Sequence, residues 1–171
     1  MKAVRKQQYQ DLVIRPAGAG DHAAIWRVIE PIIRDGRTYA LDPSLSQDAA
    51  LQYWCAPPHE IYVAEASAEI VGTYFLQPNH AGGGAHIANC GYITAPWASG
   101  RGVARAMCAH SLDLARQRGF RAMQFNFVIS TNQRAIRLWE SFGFGIVGRL
   151  PEAFNHPDHG FVDALVMYRR L

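Results

Sequence analysis

Two glycines and two arginines stand within six residues in Gly100-Arg101-Gly102-Val103-Ala104-Arg105, directly ahead of a stretch with helical apolar spacing. Glycine tolerates φ > 0 and lets a ligand approach the backbone. The first turn of a helix carries N–H groups without internal partners at the positive end of the helix dipole. Together these describe a cradle for an anion; the alternative is a plain helix start with a glycine-rich lead. A nucleotide-hydrolysing P-loop would end in Gly-Lys-Ser/Thr, which is missing, and the dinucleotide fingerprint fails at Arg105, where its third glycine belongs.

Other polar residues fall where chemistry would need them or packing would have to satisfy them. Asn89 and Asn126 interrupt otherwise apolar strand patterns. An unpaired buried amide costs about 1 to 3 kcal/mol, so each must find partners in the core or serve a ligand. His156 and His159 flank Asp158 on a loop, too few ligands for a metal centre, so no metal is expected. Cys55, Cys90 and Cys108 lack the short paired spacing of a zinc or redox site and read as reduced thiols of a cytoplasmic protein.

The chain has 171 residues, 49% hydrophobic and 18% charged, with a formal net charge of +3. That predicts one domain over 1–171, with residues 1–10 as a flexible tail. Without a run of five basic residues, nucleic acid is not an expected partner. No apolar run approaches the roughly 20 residues of a membrane span, and no apolar block follows the charged start, so neither membrane insertion nor secretion is expected.

The elements that must position these residues read in the order β α α β β β α β α β β, a mixed α/β (α+β) pattern. A strand in LVIRPA precedes a helix with Asp21 as N-cap, Ile25, Val28, Ile29 and Ile32 or Ile33 on one stripe, and Gly36 as its stop. Pro31 predicts a kink or break in that helix. A short helix over 44–55 leads to two strands, 61–66 and 69–76, joined as a hairpin, and to a strand over 85–95 ended by Pro96. From Gly102 to Gly119 the apolar period is helical, 120–128 returns to a strand, and 130–144 is a helix with Ser130 and Gln133 spaced as a capping box. GIVGRL and FVDALVMY close the chain as strands, with NHPDHG as a loop.

This order of strand, SGRGVA turn, helix and strand, followed by Asn132-x-x-Ala135-x-x-Leu138-Trp139-x-x-x-Gly143-Phe144, resembles the GCN5-related N-acetyltransferase (GNAT) superfamily over residues 11–171. Gly102 and Ala104 match its [Q/R]-x-x-G-x-[G/A] motif, with Ser99 at the Gln/Arg position. HIANCGYI, QFNFVISTN and GRLPEAFNHPDHGFVDALVMY also resemble its branch that contains a yeast acetyltransferase of proline analogues such as azetidine-2-carboxylate and many bacterial relatives of undefined substrate. The resemblance implies a twisted, mostly antiparallel sheet of six to seven strands flanked by about four helices. It also implies transfer of an acetyl group from acetyl-CoA to the amine of a small molecule, an amino or imino acid among the candidates, in a ternary complex.

By the same resemblance, the amides of Gly100, Arg101, Gly102, Val103, Ala104 and Arg105 bind the cofactor pyrophosphate, and the Tyr92-Ile93-Thr94 strand end pairs with the pantetheine. Asn132 contacts the cofactor or caps its helix. Asn89, Asn126 and Asn132 are the catalytic candidates, with Asn89 and Asn126 also holding substrate or the reacting carbonyl. Tyr39 and Asp42 either recognise the acceptor or belong to a connector. Trp139 stands where the family's acid is a tyrosine; an indole cannot donate that proton, so Trp139 packs against the pantetheine or lines the acyl pocket. His86 reads as a surface residue or a support behind the site rather than the missing base. The resemblance also places the NHPDHG loop near the substrate mouth, often at a dimer contact, so a homodimer is among its implications. A CoA-binding module without chemistry and an acetyltransferase of protein N-termini or lysines are the competing readings.

Overall fold

The computed structural model describes residues 8–171. Strand β1 (Val13–Pro16) leads into helices α1 (His22–Asp35) and α2 (Gln47–Cys55), then strands β2 (Glu60–Ala66), β3 (Glu69–Pro78) and β4 (Ile87–Thr94). Helix α3 (Val103–Gln117), strand β5 (Ala122–Ile129), helix α4 (Gln133–Ser141) and strands β6 (Gly145–His156) and β7 (Gly160–Arg170) follow. The element order and the α/β class read from the sequence hold, with seven strands and four α-helices among the described residues.

The strands form a single sheet in the order β1-β2-β3-β4-β5-β7-β6. Every pairing is antiparallel except that of β4 with β5. A parallel pair cannot be joined by a tight turn, and α3 is the crossover that joins this one. Its buried stripe includes Val103, Met107, Ser111 and Leu114. Gly72 of β3 makes room for the first turn of α3: a Cβ there would come within 2.8 Å of Val103 Cγ1. Removing a side chain at Gly72 thus sets how closely the glycine-rich turn lies against the sheet.

Several local expectations change. Helix α1 runs through Pro31 without a break. Ile25, Val28, Ile29 and Ile33 are buried on both sides of the proline, and that burial outweighs the hydrogen bond the ring removes. Asp21 occupies the N-cap position of α1, but its side chain makes no cap bond there. A 3-10 turn over Ala19–Asp21 starts the helical path earlier, so the carboxylate accepts Gly18 N at 2.8 Å and pairs with Arg15. That pairing holds the Asp21 carboxyl down at about 2.

Ser130 does not cap α4 either. Its N–H is tied to Asp163 O at 2.9 Å, which keeps it on the sheet, and the chain turns into the helix two residues later at Asn132. Gln133 donates its Nε2 to Ser130 O instead of closing a capping box. The closing strands are longer than expected, so Asn155 and His156 belong to β6 and only a short turn separates it from β7. Of the predicted tail, residues 1–7 lie outside the described residues. Tyr9 packs under the Arg101 guanidinium, 4.1 Å from ring to cation, and its hydroxyl accepts from Arg101 Nη1 at 2.9 Å.

Candidate functional site

Strands β4 and β5 pair only at Ile87–Ala122, Ala88–Met123 and Asn89–Gln124. Asn89 closes the last rung with its side chain, donating Nδ2 to Gln124 O at 2.9 Å. Beyond it β4 runs on to Thr94 and β5 to Ile129 without pairing each other, and an irregularity between Phe125 and Val128 interrupts the ladder of β5 with β7. The sheet therefore splits into a wedge whose walls carry backbone N–H and C=O groups. One of them, the Tyr92 carbonyl, accepts from Tyr39 Oη at 3.1 Å.

Two cavities open into this wedge. The cradle-side cavity, about 500 Å³, lies between the start of α3 and the face of α4. The sheet-side cavity, about 420 Å³, is walled by β4, β5, Phe75 of β3, Tyr53 of α2 and the connector Thr38 to Leu41. Tyr92, Thr94, Asn132, Ala135 and Trp139 line both, so they form the passage between them.

Gly100 and Gly102 take φ values of +85° and +88°, in the left-handed region that glycine enters without strain. The turn they make aims the start of α3 at the cradle-side cavity. The N–H of Ala106 reaches Gly102 O at 3.0 Å, which leaves the amides of Val103, Ala104 and Arg105 directed out of the helix end. Arg105, Arg134 and Arg137 line the same cavity, and Gln8 lies against Gly102. Arg134 donates to Ser99 Oγ, so a guanidinium from α4 stands at the place where Ser99 departs from the expected Gln/Arg. Arg105 is steadied by Ser141 Oγ at 3.2 Å and by the Phe142 ring. Arg101 turns to Tyr9 and is not among the lining residues.

Asn132 is the N-cap of α4, its Oδ1 accepting Ala135 N at 3.2 Å. Capping uses the oxygen; the amide nitrogen remains as a donor on the passage wall. Trp139 is 8% exposed, with its ring centroid 4.9 Å from that of Tyr92 and 5.1 Å from that of Phe125. Asn126 is exposed on the sheet-side cavity within a relay of amides, accepting Gln124 Nε2 at 2.8 Å and donating to Asn79 Oδ1 at 2.7 Å.

The structure thus brings together Tyr39, Asn89, Tyr92, Ile93, Thr94, Asn126, Asn132 and Trp139 around the sheet-side cavity, and Gly100, Gly102, Val103, Ala104 and Arg105 around the other. Asp42 lines neither; its Oδ1 accepts from Ser44 N at 2.8 Å and Ser44 Oγ at 2.7 Å in the connector. His86 is exposed just before β4 begins, away from both linings. His156 Nδ1 accepts from Asp158 N, and Asp158 pairs with Arg37. No group of three or more His, Cys, Asp or Glu among the described residues could hold a metal.

Sequence reading missed Arg134 and Arg137 on α4 and Thr38, Tyr53, Phe75 and Phe127 in the other wall. The two arginines carried a usable signal, since a spacing of three places them on one helix face. The others carried none, because each lies on a different element.

The arrangement suits an elongated ligand with an anionic end: amides and arginines at one end, an open strand edge along the middle, an apolar chamber beyond. The acetyltransferase (GNAT) family model matches residues 21–144. The fold is shared with a GCN5-related N-acetyltransferase from Kribbella flavida, 41% identical, covering 95% of this chain and 99% of that one with a TM-score of 0.90. It is also shared with a phosphinothricin acetyltransferase from Sinorhizobium meliloti in complex with acetyl-CoA, 19% identical, TM-score 0.82, covering 95% and 89% of the two chains. N-acetyltransferase aca1 of Schizosaccharomyces pombe is 29% identical over 151 residues, 78% of this chain and 72% of that protein. This chain belongs to the GNAT acetyltransferase family.

Proposed function

We propose that the protein transfers the acetyl group of acetyl-CoA to the amine of a small molecule, by direct transfer with both bound. The observation that carries this reading is the meeting of two cavities at Asn132 and Trp139, one with amides and arginines, the other a cleft of about 420 Å³. A chamber of that size takes a small acceptor.

The residues present fit a pyrophosphate-bearing thioester. The amides of Gly102 to Arg105, with Arg105, Arg134 and Arg137, would hold the pyrophosphate. The Tyr92 to Thr94 edge of β4 would pair with the pantetheine as an added strand. When bound, acetyl-CoA supplies an acyl thioester whose carbonyl carbon is the electrophile. Asn132 Nδ2 and the open β4 amides are donors available to a carbonyl oxygen in the passage. Trp139 closes one side of the passage and excludes water, but it holds no transferable proton. Asn89 and Asn126 supply amide groups to the acceptor. Burial pushes the Cys90 thiol up to about 12 and raises the Tyr39 phenol, so neither is an anionic base at neutral pH.

Three unpaired cysteines support a reducing compartment, the cytoplasm. Exposed Ile146, Val147, Leu150 and Phe161 on β6 and β7 support a homodimer. Titration calorimetry with CoA and acetyl-CoA, followed by thiol release against a panel of amines, tests the reading. Binding with release is expected. Binding without release from any small amine would favour an acyl-sensing module, and release with peptides alone would favour a protein acetyltransferase. Sedimentation of the same sample tests the dimer.

A further inference from the structure

The segment ahead of β1 is tied down at two points. Asp11 Oδ2 accepts from Ser67 N at 2.7 Å and from Ser67 Oγ at 3.1 Å, which fixes the chain to the turn between β2 and β3. Two residues earlier, the Tyr9 ring lies 4.1 Å from the Arg101 guanidinium and its hydroxyl accepts from Arg101 Nη1 at 2.9 Å. Tyr9 and Leu12 are partly buried and pack against the hydrophobic core. Arg101 stands between Gly100 and Gly102, so the second tie joins this segment to the glycine-rich turn itself, across a separation of 92 positions in the chain.

These ties decide where Gln8 lies. A Cβ at Gly102 would stand 3.5 Å from Gln8 Cδ and Nε2, ordinary contact distance, and Gln8 lines the cradle-side cavity together with Arg134 and Arg137 of α4. Gly102 is the N-cap of α3 at φ +88°, directly ahead of the outward amides of Val103, Ala104 and Arg105. A primary amide at this place offers two N–H donors without a charge to desolvate. Ordering a free segment costs about 1 to 2 kcal/mol of backbone entropy per residue. Here the contacts of Tyr9 and Asp11 meet that cost before any ligand arrives, so the Gln8 donor is preorganised.

We propose that Gln8 is a further contact of the cofactor pyrophosphate, with Nε2 as a donor to a phosphate oxygen beside the α3 amides, and that Tyr9 and Arg101 are positioning residues that hold it there. This rests on the acetyl-transfer reading above. The anion is then held from three elements: the segment ahead of β1, the start of α3 and the face of α4. Arg101 serves it through Tyr9, by keeping Gln8 in place, rather than by lining the cavity.

The test is titration calorimetry of the full chain with CoA across a series at position 8. Gln8→Ala should weaken binding about threefold, the worth of one exposed hydrogen bond. Gln8→Glu should weaken it about tenfold and Gln8→Lys strengthen it about threefold, because repulsion and charge assistance beside a pyrophosphate act with opposite sign. Tyr9→Ala should match the loss of Gln8→Ala, and Tyr9→Phe, which keeps the ring beside Arg101, should lose less. In the double variant Tyr9→Ala/Gln8→Ala the two losses should not add, since the first acts through the second.

Equal or tighter binding by Gln8→Ala, or a Kd indifferent to charge at position 8, would overturn the contact. Fully additive losses would overturn the positioning role of Tyr9. Thermal unfolding is followed for every variant, and Kd losses that merely track a falling Tm would also overturn the proposal. Failure of the wild-type protein to bind CoA would remove the transferase reading itself; binding that ignores residue 8 would leave that reading standing and remove only this contact.

Discussion

The two cavities share a wall and differ in the kind of polarity they carry. On the cradle side, Arg105, Arg134 and Arg137 surround an open helix end; on the sheet side no charged side chain among the described residues lines the cavity. The first presents the positive end of a helix dipole and three guanidinium groups, an arrangement suited to an anion. The second offers aromatic faces and a few amides, among them those of Asn89 and Asn126. The difference teaches that a single wedge in one sheet can carry two cavities of unlike polarity, which under the proposed function would separate cofactor from acceptor. Among the described residues, only Asn132, Ala135, Trp139 and Tyr92 and Thr94 of β4 line both.

Variants can break this separation or sharpen it. The largest effect is expected from Gly102→Glu, which forces a side chain into a backbone at φ +88° and sets a carboxylate among the cradle amides. CoA affinity should fall by at least about 100-fold, from lost charge-assisted hydrogen bonds and new repulsion. Calorimetry measures the loss, circular dichroism checks the fold, and an unchanged Kd would mean that this end holds no anion. Gly91→Ala strikes the other side. Its Cβ would meet Phe75 Cε1 at 2.4 Å and Tyr39 Oη at 3.0 Å. Overpacking of about 1 to 3 kcal/mol should lower turnover roughly tenfold while CoA affinity stays level. Equal loss of both would show that the cavities do not act separately.

Asn132 tests the shared wall. Asn132→Ala should cost about 1 kcal/mol of stability through loss of the α4 cap, whereas Asn132→Ser keeps a capping oxygen. If Nδ2 serves the ligand, both variants raise the KM for acetyl-CoA; a rise only in the alanine variant, matching its stability loss, would return Asn132 to capping alone. Trp139→Tyr should have the smallest effect. With only packing to replace, kcat should remain within about threefold of wild type, in the range of a tolerated core swap. A drop beyond that would show that the indole shape itself sets the passage.

Legibility in the sequence followed the range of the interaction. The α3 stripe, the Gly36 stop and the glycine-rich turn were all readable, since each needs only neighbouring residues. Capping was read less well, because Ser130 meets its partner Asp163 across the sheet rather than along the chain. Pro31 misled for the same reason: the burial that carries α1 through it comes from packing on other elements. Asn89 and Asn126 were visible as polar residues in apolar strands, but not that one closes the last rung of β4 with β5 and the other sits exposed in an amide relay.

By itself the sequence determined the order of elements, the two glycines at positive φ and the open helix start, because backbone conformation and helical period are set within a few residues. Only the tertiary structure decided that β4 and β5 part after Asn89, that Arg134 reaches Ser99, and that Tyr39, Phe75, Asn126 and Trp139 from separate elements line one cavity. Those facts depend on which strands lie side by side and which side chains then face the gap. Chain neighbours do not encode that, because burial and charge pairing are settled only when distant elements meet.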